Sequence, residues 1–256
     1  MKFVTWNVNS LKVRLPQVVD WLANNQPDVL CLQETKLQDE NFPVDEILAA
    51  GYRSVYVGQK TYNGVALLSK QTGNSVVAAL PGLEDVQKRI IAATYEDIRV
   101  VCIYVPNGEK VASEKYHYKL AWLAALKHWL QKELVKYPKL VLLGDFNIAP
   151  EDRDVHDPEA WNGQVLCSQS ERDAFRKLLD LGLVDSFRLF DQPEKTYTWW
   201  DYRMMAFRRN RGLRIDHVLL SNELAHFCSA CTVDKTARKH ERPSDHAPVI
   251  AELSVQ

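Results

Sequence analysis

Leu140-Val141-Leu142-Leu143-Gly144-Asp145-Phe146-Asn147 runs an apolar stretch straight into a glycine, an acid and an amide. A short apolar run bounded by glycine reads as a buried strand, and the polar residues beyond it fall where the strand gives way to a loop. The pattern repeats along the chain. Strand-like runs, many rich in Val, Ile, Leu and Tyr, lie at Phe3–Val8, Asp28–Gln33, Arg53–Val57, Val65–Ser69, Ser75–Leu80, 89–96, Arg99–Val105, Leu140–Gly144, Ile215–Ser221, Ser229–Val233 and Ala247–Leu253. Helical spacing appears at Val13–Asn25, at Ser113–Tyr137 and at Arg172–Leu181. Ser168-Gln169-Ser170-Glu171 opens the last of these as a capping box. Strands outnumber helices, and short links between strands 53–105 suggest antiparallel meanders rather than repeated βαβ units. The expected fold is α/β of the α+β type, two sheets packed face to face with helices outside.

Length and charge set limits on function. The 256 residues suffice for one large core, and no linker, repeat or low-complexity stretch divides them, so 1–256 is expected to be a single domain. Lys plus Arg is 32 against 33 acids, whereas a general nucleic-acid coater is strongly basic; any DNA binding must rest on a local basic face. No apolar run approaches the ~20 residues that span a bilayer, and the N-terminus is too short and polar for a signal peptide. Of the five scattered cysteines, three sit in strand-like apolar runs, as buried thiols of a reduced cytoplasm would, and Cys228-Ser-Ala-Cys231 lacks the second pair that a zinc or redox role needs. A cytoplasmic protein, associated with the nucleoid in a bacterium, is expected.

Acids and amides gather at strand ends. Trp6-Asn7-Val8-Asn9 closes the first strand, Gln33-Glu34-Thr35-Lys36 the second, and Gly144-Asp145-Phe146-Asn147 follows the run at 140–143. Arg214-Ile215-Asp216-His217 opens another strand, and Ser244-Asp245-His246-Ala247-Pro248 precedes the last. Singly, each is an ordinary turn or surface residue. Together they offer hard oxygen donors on rigid supports, a set that suits Mg²⁺, Mn²⁺ or Ca²⁺ better than Zn²⁺.

Those segments, with Gly64-Val65-Ala66, Tyr104-Val105-Pro106-Asn107-Gly108, Tyr197-Thr198-Trp199-Trp200-Asp201-Tyr202 and Gly212-Leu213-Arg214-Ile215-Asp216, resemble the exonuclease III family of DNA-repair nucleases, colinearly over the whole chain. The family lies within the wider endonuclease/exonuclease/phosphatase superfamily. The resemblance implies a four-layer α/β sandwich, two stacked, mainly antiparallel sheets flanked by helices. It implies an Mg²⁺-dependent enzyme, with Mn²⁺ as substitute and one or two ions, acting as a monomer on double-stranded DNA carrying abasic sites or blocked or recessed 3′ ends. Its implied activities are 3′→5′ exonuclease, abasic-site endonuclease and 3′-phosphatase or phosphodiesterase.

Carried over residue by residue, the resemblance makes Glu34 the principal metal ligand, with Asp245, Asn7 and Asn9 near the metal. Asp145 would orient or deprotonate the attacking water, Asn147 and Asn107 would hold phosphate oxygens, and Tyr104 would donate to the phosphate or aid the leaving group. His246 would donate to phosphoryl oxygens, oriented by Asp216. Trp199 and Leu213 match the wall of the pocket that receives a flipped sugar or displaced 3′ end.

The stretch 197–214 adds a nucleic-acid signal of its own. Tyr197, Trp199, Trp200 and Tyr202 precede Arg203, Arg208, Arg209, Arg211 and Arg214, a mixture in which aromatics stack and guanidinium groups grip phosphates. Lys235, Arg238, Lys239 and Arg242 form a second basic run before Ser244. Within the loop, Met204-Met205-Ala206-Phe207 reads equally as a turn packed on the body or as a wedge into DNA. The chain departs from the family at Val165-Leu166-Cys167-Ser168-Gln169-Ser170-Glu171-Arg172, keeping Glu-Arg without the preceding Gly-Phe and Pro. Two other readings stay open: the same chemistry on a phosphoinositide or phospholipid head group, and a non-catalytic nucleic-acid-binding regulator.

Overall fold

A computed structural model describes residues 1–254. In chain order the regular elements are β1 (Lys2–Asn7), α1 (Leu11–Asn25), β2 (Val29–Gln33), α2 (Val44–Ala49), β3 (Arg53–Val57), β4 (Val65–Ser69), β5 (Asn74–Val77), β6 (Ile90–Tyr95), β7 (Ile98–Tyr104), α3 (Glu114–Lys136), β8 (Leu140–Asp145), α4 (Pro158–Trp161), α5 (Gln169–Leu179), β9 (Leu183–Asp185), β10 (Asp216–Ser221), α6 (Asn222–Ala225), β11 (Cys228–Val233) and β12 (Val249–Leu253). The strands form two six-stranded sheets, ordered β11-β12-β1-β2-β4-β3 and β5-β6-β7-β8-β10-β9.

Side-chain alternation builds the layers. In β8, Val141 and Leu143 point into the core between the sheets, whereas Leu140 and Leu142 pack under the helices α3 and α5. In β2, Val29 and Cys31 face the other sheet and Leu30 and Leu32 face α1 and α2. Strands buried on both faces have no polar side to show, which is why they read as continuous apolar runs. The order of layers is therefore helix, sheet, sheet, helix, the expected four-layer sandwich. The helix ends follow their chemistry too: the Ser168 hydroxyl accepts from Glu171 N while the Glu171 side chain reaches back to Ser168 N, closing the capping box.

Some expectations shift. Besides the antiparallel meanders, each sheet holds one parallel pair, β1 with β2 and β7 with β8. A parallel return needs a crossover, and α1 and α3 supply it, so the chain does contain two βαβ units. The run Ser75–Leu80 yields only a strand at Asn74–Val77, and the last strand starts at Val249 rather than Ala247. The three-residue β9 and the six-residue α2 were not foreseen, being too short to display a period. Cys228 and Cys231 lie in β11, with Cys231 buried against Ser186 Oγ at 3.2 Å, as a structural thiol would be.

Candidate active site

Asn7, Tyr104, Asp145 and Asp216 continue the inward-facing parity of their strands beyond the apolar core. Phe3 precedes Asn7 by two alternations; Ile98, Val100 and Cys102 precede Tyr104; Val141 and Leu143 precede Asp145; Val218 and Leu220 follow Asp216. Register puts three of them side by side, since Tyr104 pairs with Asp145 across β7 and β8 and Asp216 pairs with Asp145 across β8 and β10. Gly144 permits the close approach of β7: a Cβ there would lie 1.9 Å from the Ile103 carbonyl oxygen. The polar cluster is thus one end of the inter-sheet face, where hydrocarbon gives way to hydrogen-bonding groups.

The groups are wired together. Asn7 Nδ2 donates to Glu34 Oε1 and to Asp145 Oδ2, both at 2.9 Å. The Tyr104 hydroxyl donates to the same Glu34 oxygen at 2.9 Å. Asp145 accepts from Asn147 N at 2.9 Å, and His246 Nε2 stands 3.8 Å from Asp145 Oδ2. His246 Nδ1 lies 2.9 Å from Asp216 Oδ2. Asp216 is held in turn, because Thr198 Oγ1 accepts from the backbone amides of Ile215 and Asp216 at 3.0 and 3.1 Å. Asn107 Nδ2 donates to Asn147 Oδ1 at 3.1 Å. Glu34, Asn9 and Asn147 all have left-handed backbone, φ 53, 44 and 50°, conformations that cost energy outside glycine and persist where surrounding bonds enforce them.

Electrostatics divides the acids. Burial disfavours a charged His246, but Asp216, Asp145 and Asp245 outweigh it and hold the imidazole up at about 10. Burial raises the Asp145 carboxyl to about 7 against the opposing pull of His246. Burial acts on Glu34 in the same sense, yet Lys36 and Asn7 overcome it and the net shift is downward. Asp245 is likewise lowered: burial raises it, but His246 and the hydrogen bonds from Trp199 and Asn9 together overcome that. Tyr104 is driven well up by burial and by Glu34, so its phenol keeps its proton. The imidazolium therefore sits among carboxylates of different proton affinity, a pattern found where acid and base roles are assigned.

The endonuclease/exonuclease/phosphatase family model matches residues 4–246. The chain belongs to that family. Within it, exodeoxyribonuclease III of Haemophilus influenzae is 40% identical over 266 residues, covering 99% of this chain and 100% of that protein. Two solved structures superpose over 100% of both chains. The 3′ phosphatase NExo from Neisseria, bound to a product DNA hairpin, does so with TM-score 0.98 and 50% identity. An AP endonuclease from Archaeoglobus fulgidus does so with TM-score 0.96 and 40% identity. The chain is accordingly a phosphoester-hydrolysing nuclease of the exonuclease III branch, a branch of metal-dependent enzymes.

Glu34, Asp145 and His246 form an acidic group in this exonuclease III relative that could hold a metal, their ligand atoms lying within 4.8 Å of one another. Asp245 stands outside it, accepting from Asn9 Nδ2 at 3.0 Å and from Trp199 Nε1 at 2.9 Å. Lys36 tests whether a cation suits these oxygens: its ammonium bridges Glu34 Oε2 at 2.8 Å and Asn9 Oδ1 at 2.5 Å. A hard cation fits the same donor set.

The arginine loop divides. Arg203, Arg208, Arg209 and Arg211 are exposed, free to meet phosphates. Arg214 is not among them: it is buried, paired with Asp154 at 2.7 Å and Asp185 at 2.8 Å. Arg238 is also withdrawn, its guanidinium 5.0 to 5.9 Å from the ring centres of Phe207, Tyr202 and Trp200. Tyr197 and Trp200 are buried and so cannot stack on bases. Trp199 lies against the buried Leu213, which joins Val155, Leu166 and Cys167 in one apolar cluster. In Met204–Phe207, Ala206 is buried and Phe207 packs edge-on to Trp200, as a turn packed on the body would, while Met204 and Met205 are exposed. Lys36 and Thr198 went unassigned in the sequence; the local residues do not reveal that Lys36 links Glu34 to Asn9, or that Thr198 holds the amides of Ile215 and Asp216. Among the described residues no helix is long and apolar enough to cross a membrane.

Proposed function

We propose that this chain is an Mg²⁺-dependent DNA-repair nuclease acting on duplex DNA: a 3′→5′ exonuclease that also incises at abasic sites and removes 3′-phosphates and other 3′ blocks. The observation that carries the reading is the row Asp216–His246–Asp145–Asn7–Glu34–Tyr104, joined by hydrogen bonds except for the 3.8 Å approach of His246 to Asp145, beside a loop of exposed arginines. The relatives act in the same direction: one is a 3′ phosphatase bound to DNA, another an AP endonuclease, a third an exodeoxyribonuclease.

Glu34 would hold the ion, with Asp245 and the amide oxygens of Asn7 and Asn9 beside it; bound Mg²⁺ would neutralise charge on the phosphate and polarise it. His246 is a poor ligand while protonated, so Glu34 with neutral amide oxygens is the favoured set. Asp145, raised to about 7, takes a proton from the attacking water near neutral pH. Asn7 and Asn147 fix its oxygens in place. His246 presents Nε2 to a phosphoryl oxygen while Asp216 fixes Nδ1, the orienting logic of a carboxylate–imidazole pair. Asn107 and Asn147 supply amide donors to the phosphate, and the neutral Tyr104 phenol a further proton. A preorganised donor of this kind lowers a barrier by ~3–4 kcal/mol.

Arg203, Arg208, Arg209 and Arg211 grip the backbone, and Trp199, backed by the buried Leu213, walls the space for an extruded sugar or frayed 3′ end. We take residues 1–256 as one catalytic domain that works as a cytoplasmic monomer. The deciding experiment sets three duplexes side by side, with an abasic site, a 3′-phosphate and a recessed 3′-hydroxyl. Metal-dependent cleavage of at least one supports the reading; inertness toward all three with turnover of a phosphoinositide head group would replace it.

A further inference from the structure

Beneath the asparagine loops lies a charged pair with no contact to solvent. Lys119 on α3 and Glu171 on α5 are both fully buried and meet at 2.5 Å. The Lys119 ammonium has three protons, and all are spoken for: Glu171 Oε1, the Asn147 carbonyl at 2.7 Å and the Asn107 carbonyl at 3.1 Å. Glu171 is equally committed, accepting from Leu166 N at 3.0 Å, Ser168 N at 3.1 Å and Ser168 Oγ at 2.6 Å. One ion pair thus ties two helices to three loops.

Stability alone does not account for it. Desolvating two charges costs about what their attraction returns, and apolar residues of matching shape commonly serve as well or better. The surroundings already supply such packing through Trp122, Leu123 and Phe175. What the pair uniquely does is grasp the backbone of Asn107 and Asn147, whose side-chain amides face each other at 3.1 Å. Asn147 holds a left-handed φ of 50°, its amide N–H bonded to Asp145.

We propose that Lys119, anchored by Glu171, is a positioning residue for phosphodiester hydrolysis: its ammonium sets the carbonyls, and through them the side chains, of Asn107 and Asn147 at the reacting phosphate. The inference rests on the nuclease reading above. It gives the capping-box acid a second task, since Glu171 both opens α5 and fixes the lysine.

The test uses the full chain with saturating Mg²⁺ and a duplex bearing a 3′-phosphate, measuring the single-turnover rate, the Kd for DNA and the urea midpoint. Lys119→Met/Glu171→Gln, which keeps a side-chain acceptor for the Leu166 and Ser168 amides, is expected to keep the wild-type Kd and a midpoint close to wild type, while the rate falls on the order of 10²-fold, as for a misplacement near 1 Å. A wild-type rate in this variant overturns the proposal, and so does a parallel loss of rate, affinity and urea resistance. Should the double variant not fold, Glu171→Gln alone, which keeps the side-chain shape, is judged by the same three measurements. If the wild type itself leaves the duplex uncut, the nuclease reading falls and the proposal with it; wild-type cleavage separates the two.

Discussion

Asp145 and Asp216 are register partners across β8 and β10, and a single imidazole, His246, stands between their carboxylates at 3.8 and 2.9 Å. Two neighbouring buried acids repel unless a positive charge is shared between them, and His246 supplies it. The two ends of that imidazole face different carboxylates, which separates the proposed base from the orienting group.

Replacing the groups at the reacting end should cost chemistry rather than grip. Asp145→Asn and His246→Asn are each expected to lower turnover by 10²-fold or more, the usual share of a general acid or base, roughly 10²–10⁴, with DNA affinity retained. Filter binding beside single-turnover cleavage decides it; equal losses in both would assign the residues to substrate grip or folding.

Asp216→Asn keeps the shape and removes the charge that fixes His246 Nδ1. Turnover is expected to fall by on the order of 10²-fold, and the His246 ring, followed by ¹⁵N NMR, should titrate at lower pH, since Asp216 is the chief group holding its proton. An unchanged imidazole titration would remove Asp216 from that role.

Chelation should silence the enzyme. With EDTA, cleavage of any DNA substrate is expected to stop, and excess Mg²⁺ or Mn²⁺ to restore it, because a phosphodiester needs its charge neutralised before water attacks. Full activity in EDTA would sink the metal reading.

The exposed loop arginines should behave as phosphate contacts. Arg208→Ala, Arg209→Ala and Arg211→Ala are each expected to weaken DNA binding irrespective of sequence and to reduce the slope of log K against log salt by about 1. The buried Arg214 should act otherwise: Arg214→Ala removes the cation paired with Asp185, leaves Asp154 with Arg188 alone, and lowers the urea midpoint instead.

His217 makes stability depend on pH. Its Nδ1 faces the Arg214 guanidinium at 3.0 Å and its Nε2 the Ile148 carbonyl at 2.9 Å; burial, then Arg214, depresses it from 6.5 to about 4. The unfolded chain therefore takes up a proton that the folded chain refuses. Its contribution is whole above about pH 6.5, drains away as the pH falls toward about 4, and amounts to about 3 kcal/mol at about 1.4 kcal/mol per unit. Urea midpoints between pH 7 and 4 should drop more steeply for the parent than for His217→Gln; identical slopes would contradict the assignment.

The sheets were readable because strands buried on both faces announce themselves as apolar runs, and the acids and amides stand where those runs stop. Position alone left Asn7, Glu34, Asp145 and Asp216 as ordinary turn residues; only the resemblance over the whole chain grouped them. The fate of Arg214 and Arg238 was hidden, for a basic residue in a basic stretch looks the same whether it meets a phosphate or, like Arg214, an aspartate 60 positions away. Lys119 was hidden differently, a charge within the apolar face of α3 between Tyr116 and Leu123, where a surface position on the neighbouring turn was the simpler reading.

The alternation that aims Asn7, Tyr104, Asp145 and Asp216 inward has a further cost and use. Slipping any of their strands by one residue would send the polar group into the oily layer beneath a helix and bring an aliphatic side chain into its place. With these four groups in the proposed roles, turnover would report that all four strands stand in register.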